Sequence, residues 1–229
     1  MKKLNNWTVL VILLSVMLYA TMAFGQKDSE TRYLLSGNEI SISGFGGPII
    51  AFSQIENDFA LLTGGGGAVL FNQSFFIGGF GEGVSTKHRL AEITVLNKSG
   101  IPTTYYDLVT NFGYGGFWLG TIYKPKKAVH LGLSTRIGWG NISLIEDDYH
   151  IDWHDNIMND AVFVITPQAE LELNLYRWFK LNAGLGYRLV TGVDKTYLDQ
   201  DGTRRNYFKK SDFSKPQFTI GLLFGGFGY

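Results

Sequence analysis

Apolar and polar residues alternate over long stretches of the chain, and the clearest stretch runs from Phe179 to Thr191. Its odd positions carry mainly Phe, Leu, Ala and Tyr, whereas its even positions carry mainly Lys, Asn, Gly and Arg. Because successive side chains of a β-strand point to opposite faces, this period of two predicts a strand with one apolar and one polar face. The same alternation marks 106–118, 129–139 and 161–175.

Four further candidate strands are richer in glycine and alternate less cleanly. They lie at 38–53, 58–72, 74–85 and 215–229. Most of the candidate strands are much longer than the five or six residues typical of soluble proteins. A tilted strand needs about 9–11 residues to cross a membrane, so these lengths favour membrane-spanning strands. With the first group they predict an all-β fold, an eight-stranded antiparallel up-and-down transmembrane β-barrel.

The links between the candidate strands support this prediction because they sort by length. The links after the third, fifth and seventh strands are long and cover 86–104, 145–160 and 192–214, whereas those after the second, fourth and sixth are short. In an up-and-down barrel these two groups lie at opposite ends. Outer-membrane barrels have short periplasmic turns and long external loops, so both termini are expected on the periplasmic side. The short link after the first strand, 54–58, is the exception.

The N-terminus has the order of features found in a secretory signal. Lys2 and Lys3 precede an apolar stretch from Trp7 to Tyr19, and small residues follow up to Gly25. The apolar stretch is shorter than the ~20 residues that a membrane-spanning helix needs, so cleavage before Gln26 is expected. The resulting organisation is a signal peptide at 1–25, a periplasmic segment at 26–37 and a barrel at 38–229.

Alternation alone does not say which face of the barrel is wet, and a soluble lipocalin-like carrier is the alternative fold. Export, the few charges on the polar faces and the position of the aromatic residues all favour a membrane barrel with its apolar face outward. Charged residues make up only 17% of the chain, and glycine contributes 29 residues. The aromatic residues near predicted strand ends are Phe71, Phe75, Tyr105, Tyr106, Tyr123, Tyr176, Trp178 and Phe179.

The C-terminus completes the pattern with Phe227-Gly228-Tyr229. A bulge at Gly225-Gly226 would place both aromatic side chains on the outer face. A terminal aromatic residue on a last amphipathic strand resembles the signal recognised by the barrel assembly machinery. Over 38–229 the chain is similar to small eight-stranded outer-membrane proteins of the OmpA/OmpX type, and it resembles the glycine- and tyrosine-rich barrels of Bacteroidetes. This resemblance is architectural, and it carries over no catalytic or binding motif.

An outward apolar face places the charged residues of the strands in the lumen. An eight-stranded lumen is only wide enough to be filled by side chains, and a buried charge must be paired. A lumen polar network of Arg136, Glu170, Glu172 and Arg188 is therefore expected, with acid–base pairing among Arg136, Glu170 and Arg188. The other residues expected to point inward are Glu82, Asp107, His130 and Lys180. A gated pore is the functional alternative to this plugged core.

The link at 145–160 holds a weak candidate metal site at His150, Asp152 and His154, because these residues alternate within an acidic segment. Zinc requires three or four ligands in a tetrahedral arrangement, and nothing in the spacing fixes that geometry. The same histidines are the only basis for a hydrolase at the outer rim. We therefore predict no metal, no cofactor and no catalytic residue. In the last long link, Arg204, Arg205, Lys209 and Lys210 are candidates for contact with lipopolysaccharide phosphates.

Composition narrows the function further. Twenty basic residues balance 20 acidic ones, so there is no excess positive charge to favour nucleic-acid binding. The absence of cysteine excludes disulfides, thiolate metal sites and a cysteine nucleophile. The sequence predicts a non-enzymatic structural or interaction protein, including the role of accessory subunit in a larger outer-membrane complex. Its expected partners are outer-membrane lipid, lipopolysaccharide and another outer-membrane protein. A narrow pore or small-ligand channel is the second hypothesis and a rim hydrolase the third.

Overall fold

A computed structural model of the chain describes residues 40–96, 101–146 and 156–228, and these residues form a closed, all-antiparallel β-barrel. The compact unit that contains the barrel begins at Ser41. The strands are β1 (Ile42–Ile55), β2 (Asp58–Phe71), β3 (Phe75–Val84), β4 (His88–Leu96), β5 (Pro102–Tyr123), β6 (Val129–Glu146), β7 (Asn156–Tyr176), β8 (Phe179–Thr191), β9 (Thr196–Leu198), β10 (Arg204–Asn206) and β11 (Lys215–Gly226), and the helix is α1 (Lys210–Phe213).

The wall of the barrel has eight positions, as the sequence predicts. Each long strand pairs with its neighbours in the chain, β11 pairs with β1, and β3 pairs with β5 to complete the ring. The strands β3 and β4 lie end to end along β5 and together occupy one wall position. The predicted signal peptide at 1–25 and the segment at 26–37 lie outside the described residues.

One predicted loop contains a strand instead. Within the link at 86–104, β4 pairs with the first half of β5, from His88 opposite Thr110 to Leu96 opposite Pro102. The reason is visible in the local pattern, because Ile93 and Val95 are buried whereas Glu92 and Thr94 alternate with them. The barrel wall is therefore longer along β5 than the sequence pattern predicts.

The two ends of the barrel differ, and the links sort as predicted. The short turns 72–74, 124–128 and 177–178 share one end, which we call the short-turn end. The first residue of β1 and the last residue of β11 lie at that end too, since β1 and β11 pair antiparallel. The opposite end, called the long-link end, carries the three long links and the tight β1–β2 turn. The described residues contain no helix long and apolar enough to span a membrane.

The outer surface is apolar. The most exposed large side chains at mid-wall include Phe117, Leu131, Trp139 and Leu185, which are 56–68% exposed. The charged side chains in the middle of the wall, such as Arg136, Glu170 and Lys180, are in contrast buried inside the barrel. This distribution is the reverse of that in a soluble barrel and is the one that a lipid environment requires. The chain is therefore a transmembrane β-barrel rather than a soluble carrier.

Inward-facing glycines make room for aromatic side chains within this narrow wall. A Cβ at Gly66 would lie 3.1 Å from Cε3 of Trp118, and one at Gly120 would lie 2.3 Å from Cζ of Phe76. Such contacts leave no space for a side chain at either position. The glycine repeats on neighbouring strands thus allow aromatic rings to pack over bare backbone.

Candidate functional site: the lumen and its closed mouth

The lumen is the first candidate site because it gathers most of the buried charge. Glu172 lies at the short-turn end, with its Oε2 atom 2.8 Å from His130 Nε2. Lys180 Nζ donates to the same oxygen at 3.3 Å. The Lys180 ammonium also sits 4.3 Å from the ring centre of Phe227. His130 Nδ1 is 3.0 Å from the carbonyl oxygen of Lys127, which connects this cluster to the adjacent turn.

Glu170 forms the next layer of the lumen, one inward-facing position further along β7. Ser134 Oγ donates to Glu170 Oε1 at 2.6 Å, and the Gln168 amide donates to the same oxygen. Asn182 Nδ2 donates to Glu170 Oε2 at 3.1 Å and to Glu172 Oε1 at 3.4 Å. The side-chain amide of Asn182 thereby links the first two layers.

Arg136 and Glu82 form the third layer. Arg136 Nη1 donates to Glu82 Oε2 at 3.2 Å, and both side chains are 2% exposed. The Tyr114 hydroxyl and the Gln217 amide donate to the other oxygen of Glu82. The guanidinium of Arg136 lies 5.4 Å from the ring centre of Trp118, a distance at which a cation and an aromatic ring attract each other. The pair is thus buried, hydrogen-bonded and covered by an aromatic ring.

Arg188 holds the long-link end of the lumen to the wall. Its Nε donates to the carbonyl oxygen of Phe213 at 2.9 Å, and its Nη2 donates to the carbonyl oxygen of Gln54 at 3.0 Å. Its Nη1 is 3.4 Å from Gln217 Oε1, and its guanidinium lies 5.1 Å from the ring centre of Phe112. Arg188 therefore joins α1, the β1–β2 turn and the barrel interior.

All four residues of the predicted polar network are buried in the lumen, with exposed fractions of 0–2%. Their pairing differs in detail from the expectation. Glu170 and Glu172 are joined through Asn182, whereas Arg136 and Arg188 are joined through Glu82 and Gln217. The carboxylate beside Arg136 comes from β3, across β5, because a narrow lumen brings non-adjacent strands together. Spacing within one strand carries no signal for such a contact.

Asp107 does not point inward as predicted, because β5 presents its apolar positions to the lumen. Leu108, Phe112 and Trp118 are buried, whereas the Asp107 side chain is 74% exposed, with its Oδ1 atom 3.9 Å from Arg89 Nη1. A left-handed backbone at Asp107, with φ of 49°, interrupts the regular alternation there. The prediction placed the apolar side chains of every strand on the outer face, and β5 is an exception.

The mouth at the long-link end is closed by the chain itself. The link between β8 and β11 contains the β9–β10 hairpin and α1, which turns Phe213 into the barrel. Phe213 is fully buried, and its ring centre lies 5.2 Å from that of Phe112 and 5.3 Å from that of Phe208. Asp160 at the rim accepts hydrogen bonds from the backbone of the following link. Part of this link is thus a plug for the long-link end of the lumen.

At this mouth, the environment of Glu56 disfavours the ionised form of its carboxyl group. Glu56 lies in the β1–β2 turn, and its backbone nitrogen donates to the Asp212 carbonyl oxygen at 2.7 Å. Burial raises the pKa of the Glu56 carboxyl, and the negative charges of Asp212 and Asp58 raise it further. At the exposed hairpin tip, in contrast, hydrogen bonds from Thr203 hold the pKa of Asp201 below its usual range.

The remaining predicted sites are not brought together. His150, Asp152 and His154 lie outside the described residues, as does Tyr229. Within the residues that are described, no group of three or more potential metal ligands occurs. Phe227 is buried inside the barrel rather than on the outer face, because β11 keeps its regular pairing with β1 through Gly225 and Gly226 without a bulge. Phe227 therefore does not contribute to the outer surface of the folded barrel.

No protein-family model matches the chain, and no curated protein matches it. Among solved structures, the chain is similar to Neisserial surface protein A, with 9% identity, a TM-score of 0.48, and 82% of this chain and 99% of that chain covered. It is similar to Ail, the attachment invasion locus protein of Yersinia pestis, with 12% identity, a TM-score of 0.43 and coverage of 80% and 97%. It is also similar to outer membrane protein AlkL, with 11% identity, a TM-score of 0.35 and coverage of 87% and 96%. The barrel architecture of this chain rests on its own closed strand pairing.

Proposed function

We propose that the chain is an outer-membrane barrel with a filled lumen, both termini in the periplasm, and a structural or interaction role exercised through its outer surface. The observation that carries this proposal is the continuous filling of the lumen. Layered hydrogen-bonded side chains occupy it from Glu172 to Arg188, and Phe213 covers the long-link end. A path for ions or a small ligand would require these groups to separate, and buried charges resist separation because each would lose its partner.

The outer surface supports an interaction role at one place. Outward-facing glycines of four adjacent strands lie side by side, with Gly46 opposite Gly67, Gly67 opposite Gly79, and Gly65 opposite Gly81. Gly81 in turn lies opposite Gly115 on β5. We call this region the glycine surface (Gly46, Gly65, Gly67, Gly79, Gly81 and Gly115). It is flat and exposes backbone, which lets another membrane protein approach closely.

At the centre of the glycine surface, packing within the barrel does not require a glycine. A Cβ at Gly81 would meet no atom within 4 Å. Glycine in a strand is nevertheless destabilising by roughly 0.5–1 kcal/mol relative to alanine. A position that bears this cost without a steric reason inside the barrel is consistent with a requirement from outside it. The proposed role is therefore that of an accessory subunit whose partner packs on this surface.

Extraction from native outer membrane in mild detergent tests the proposal. We expect the wild-type chain to co-purify with a larger membrane protein in fixed stoichiometry, and Gly81→Leu to lose that partner while its folded, heat-modifiable gel mobility is kept. Ala169→Leu introduces the same side chain at an outward position of β7, which is not adjacent to any strand of the glycine surface, and serves as the matched control. A lone particle with the mass of one chain would contradict the accessory-subunit role.

The rim-hydrolase hypothesis depends on His150 and His154, which lie outside the described residues. Of the two described histidines, His130 is buried beside Glu172 at the short-turn end, and His88 Nε2 lies 2.9 Å from Thr86 Oγ1. Within the described residues, neither histidine is hydrogen-bonded to both a serine and an acid, the arrangement that acyl-transfer catalysis requires. The interaction role is thus the better supported hypothesis.

A further inference from the structure

The short-turn end carries a concentration of positive charge. Its three turns, 72–74, 124–128 and 177–178, contain no acidic residue. They contain four cations, which are Lys124, Lys126, Lys127 and Arg177. The long-link end is mixed in sign by comparison, since acidic residues such as Asp199 and Asp201 stand beside Arg205 there. The charge asymmetry therefore belongs to the structure of one end.

The four cations are exposed, and none of them forms a salt bridge with any residue in the described part of the chain. Lys124 is placed over its neighbour, with Nζ 4.7 Å from the ring centre of Tyr123. At the long-link end, in contrast, Arg205 is paired with Asp199 at 2.7 Å. Among the described residues, no acidic side chain neutralises the positive charge of these four cations at the short-turn end.

Two of the turns are held together in a fixed arrangement. Asn174 Nδ2 donates to the carbonyl oxygens of Pro125 at 2.9 Å and Lys127 at 2.8 Å. The backbone nitrogen of Asn174 donates to the carbonyl oxygen of Ala128 at 2.9 Å. These bonds fix the backbone that carries Lys126 beside the backbone that carries Arg177. The two cations therefore belong to one preformed site.

A cleft of about 470 Å³ lies between these turns and is lined by Lys126, Asn174, Leu175, Tyr176 and Arg177. A phosphate group is the natural occupant of a cleft with a lysine and an arginine, since the guanidinium can donate two parallel hydrogen bonds to it. A second cleft of about 400 Å³ lies on the other side of Lys126, against the turn 72–74. Lys126 lines both clefts.

The cleft is apolar on its membrane side, and this feature selects the source of the phosphate. Leu175, Tyr176 and Trp178 are 48–64% exposed. The rings of Tyr176 and Trp178 stack with centres 5.8 Å apart, and Trp178 also stacks on Phe224 at 6.0 Å. Exposed aromatic residues at the end of a membrane strand mark the headgroup level. A ligand here meets cations and apolar surface together, as the phosphate and upper acyl chain of a phospholipid do.

We propose that the cleft between Lys126 and Arg177 binds the headgroup phosphate of an anionic phospholipid in the leaflet on the short-turn side. The neighbouring cations Lys124 and Lys127 add long-range attraction for the net negative charge. The assignment of that leaflet to the periplasmic side rests on the proposed orientation, whereas the lipid site itself does not.

Native mass spectrometry of the full chain, folded in detergent and titrated with phosphatidylglycerol, tests this site. We expect phosphatidylglycerol to remain bound in preference to zwitterionic phosphatidylcholine. The double variant Lys126→Glu with Arg177→Glu is expected to lose affinity for phosphatidylglycerol at least about tenfold. The matched control, Lys195→Glu with Arg204→Glu, makes the same charge change at exposed positions of the other end and is expected to bind as wild type does.

Two results would overturn the proposal. Equal phosphatidylglycerol affinity in wild type and in the Lys126 and Arg177 variant would show that these two cations do not form a lipid-binding site. Displacement of the lipid by millimolar inorganic phosphate would show that the cleft is a site for free phosphate and does not select a lipid. If charge reversal prevents folding, the neutral variant Lys126→Gln with Arg177→Gln gives the same comparison. The loss of a protein partner or the appearance of conductance would leave these readings unchanged.

Discussion

The inner wall of the barrel is filled in two different ways. On β1, β2, β3 and β5, which we call the apolar half, the inward side chains are mostly aliphatic or aromatic and include Leu62, Phe76 and Trp118. On β6, β7, β8 and β11, the polar half, they are mostly polar and include the charged residues Glu170 and Arg188. The inward side chains of both halves are buried. The apolar half is filled by volume and shape, whereas the polar half is filled by groups that each need a specific partner.

This difference predicts unequal tolerance to substitution. A well-packed apolar position accepts another side chain of similar volume. A buried charge left without its partner is costly even when the volume is conserved. The two halves meet where Glu82 of β3 pairs with Arg136 of β6. A substitution that breaks this pair is therefore expected to have the largest effect on stability.

The largest effect is expected for Glu82→Leu, which leaves the Arg136 guanidinium buried without its carboxylate. We expect a loss of about 3–5 kcal/mol in the free energy of unfolding. Adding Arg136→Met to the same chain removes the stranded charge and is expected to restore most of that loss. Urea unfolding in detergent, followed by gel mobility, measures both. A double variant no more stable than the single one would contradict the importance of pairing.

A conservative change in the apolar half is expected to cost much less. Leu62 is fully buried on β2, and Leu62→Met keeps its volume without altering charge. We expect a loss below about 1.5 kcal/mol in the same unfolding measurement. A cost as large as that of Glu82→Leu would mean that both halves are equally specific, and the distinction between them would fail.

The plug at the mouth is expected to respond locally. Phe213→Ala removes the ring that packs on Phe112 and Phe208, but it leaves the strand ladder intact. Hydrogen exchange should therefore quicken by about tenfold in the 192–214 link, equivalent to roughly 1.4 kcal/mol of local opening, with the strands unchanged. Quickened exchange throughout the barrel would show instead that the plug is part of the global fold.

The smallest effect concerns Glu56, whose pKa is raised by burial and by neighbouring acids. Because the fold disfavours its ionised form, Glu56 lowers stability at neutral pH, and this cost disappears as the pH falls through the raised folded-state pKa. Glu56→Gln should thus stabilise the barrel by a few tenths of a kcal/mol at pH 7, since the site is partly exposed and screened. Unfolding at pH 7 and pH 4 checks this, and a gain that persists at low pH would contradict it.

The sequence predicts the wall better than the lumen. Period-two alternation predicts where the long strands lie, because successive side chains of a strand point to opposite faces. It missed β4, where His88–Leu96 was predicted to be part of a loop. The pattern also predicts Asp107 inside, because an outward apolar face was assumed for every strand, whereas the apolar positions of β5 face the lumen.

The pairing inside the lumen is less predictable for a different reason. The residues of the predicted network are buried, but the partner of Arg136 comes from β3, which is not adjacent to β6. The plug residue Phe213 lies in a charged link whose composition indicates solvent exposure. Such contacts arise from the closure of the ring, and no local pattern encodes the distance across it.

Because the lumen is filled by layers of side chains, we expect that the barrel does not conduct ions. Recording from planar bilayers containing the purified full chain, with insertion verified by protection from protease, tests it most directly. The filled layers from Glu172 to Phe213 predict no unitary conductance above the bare-bilayer baseline. A reproducible unitary conductance in the wild-type chain would contradict the account and would favour the narrow-pore hypothesis.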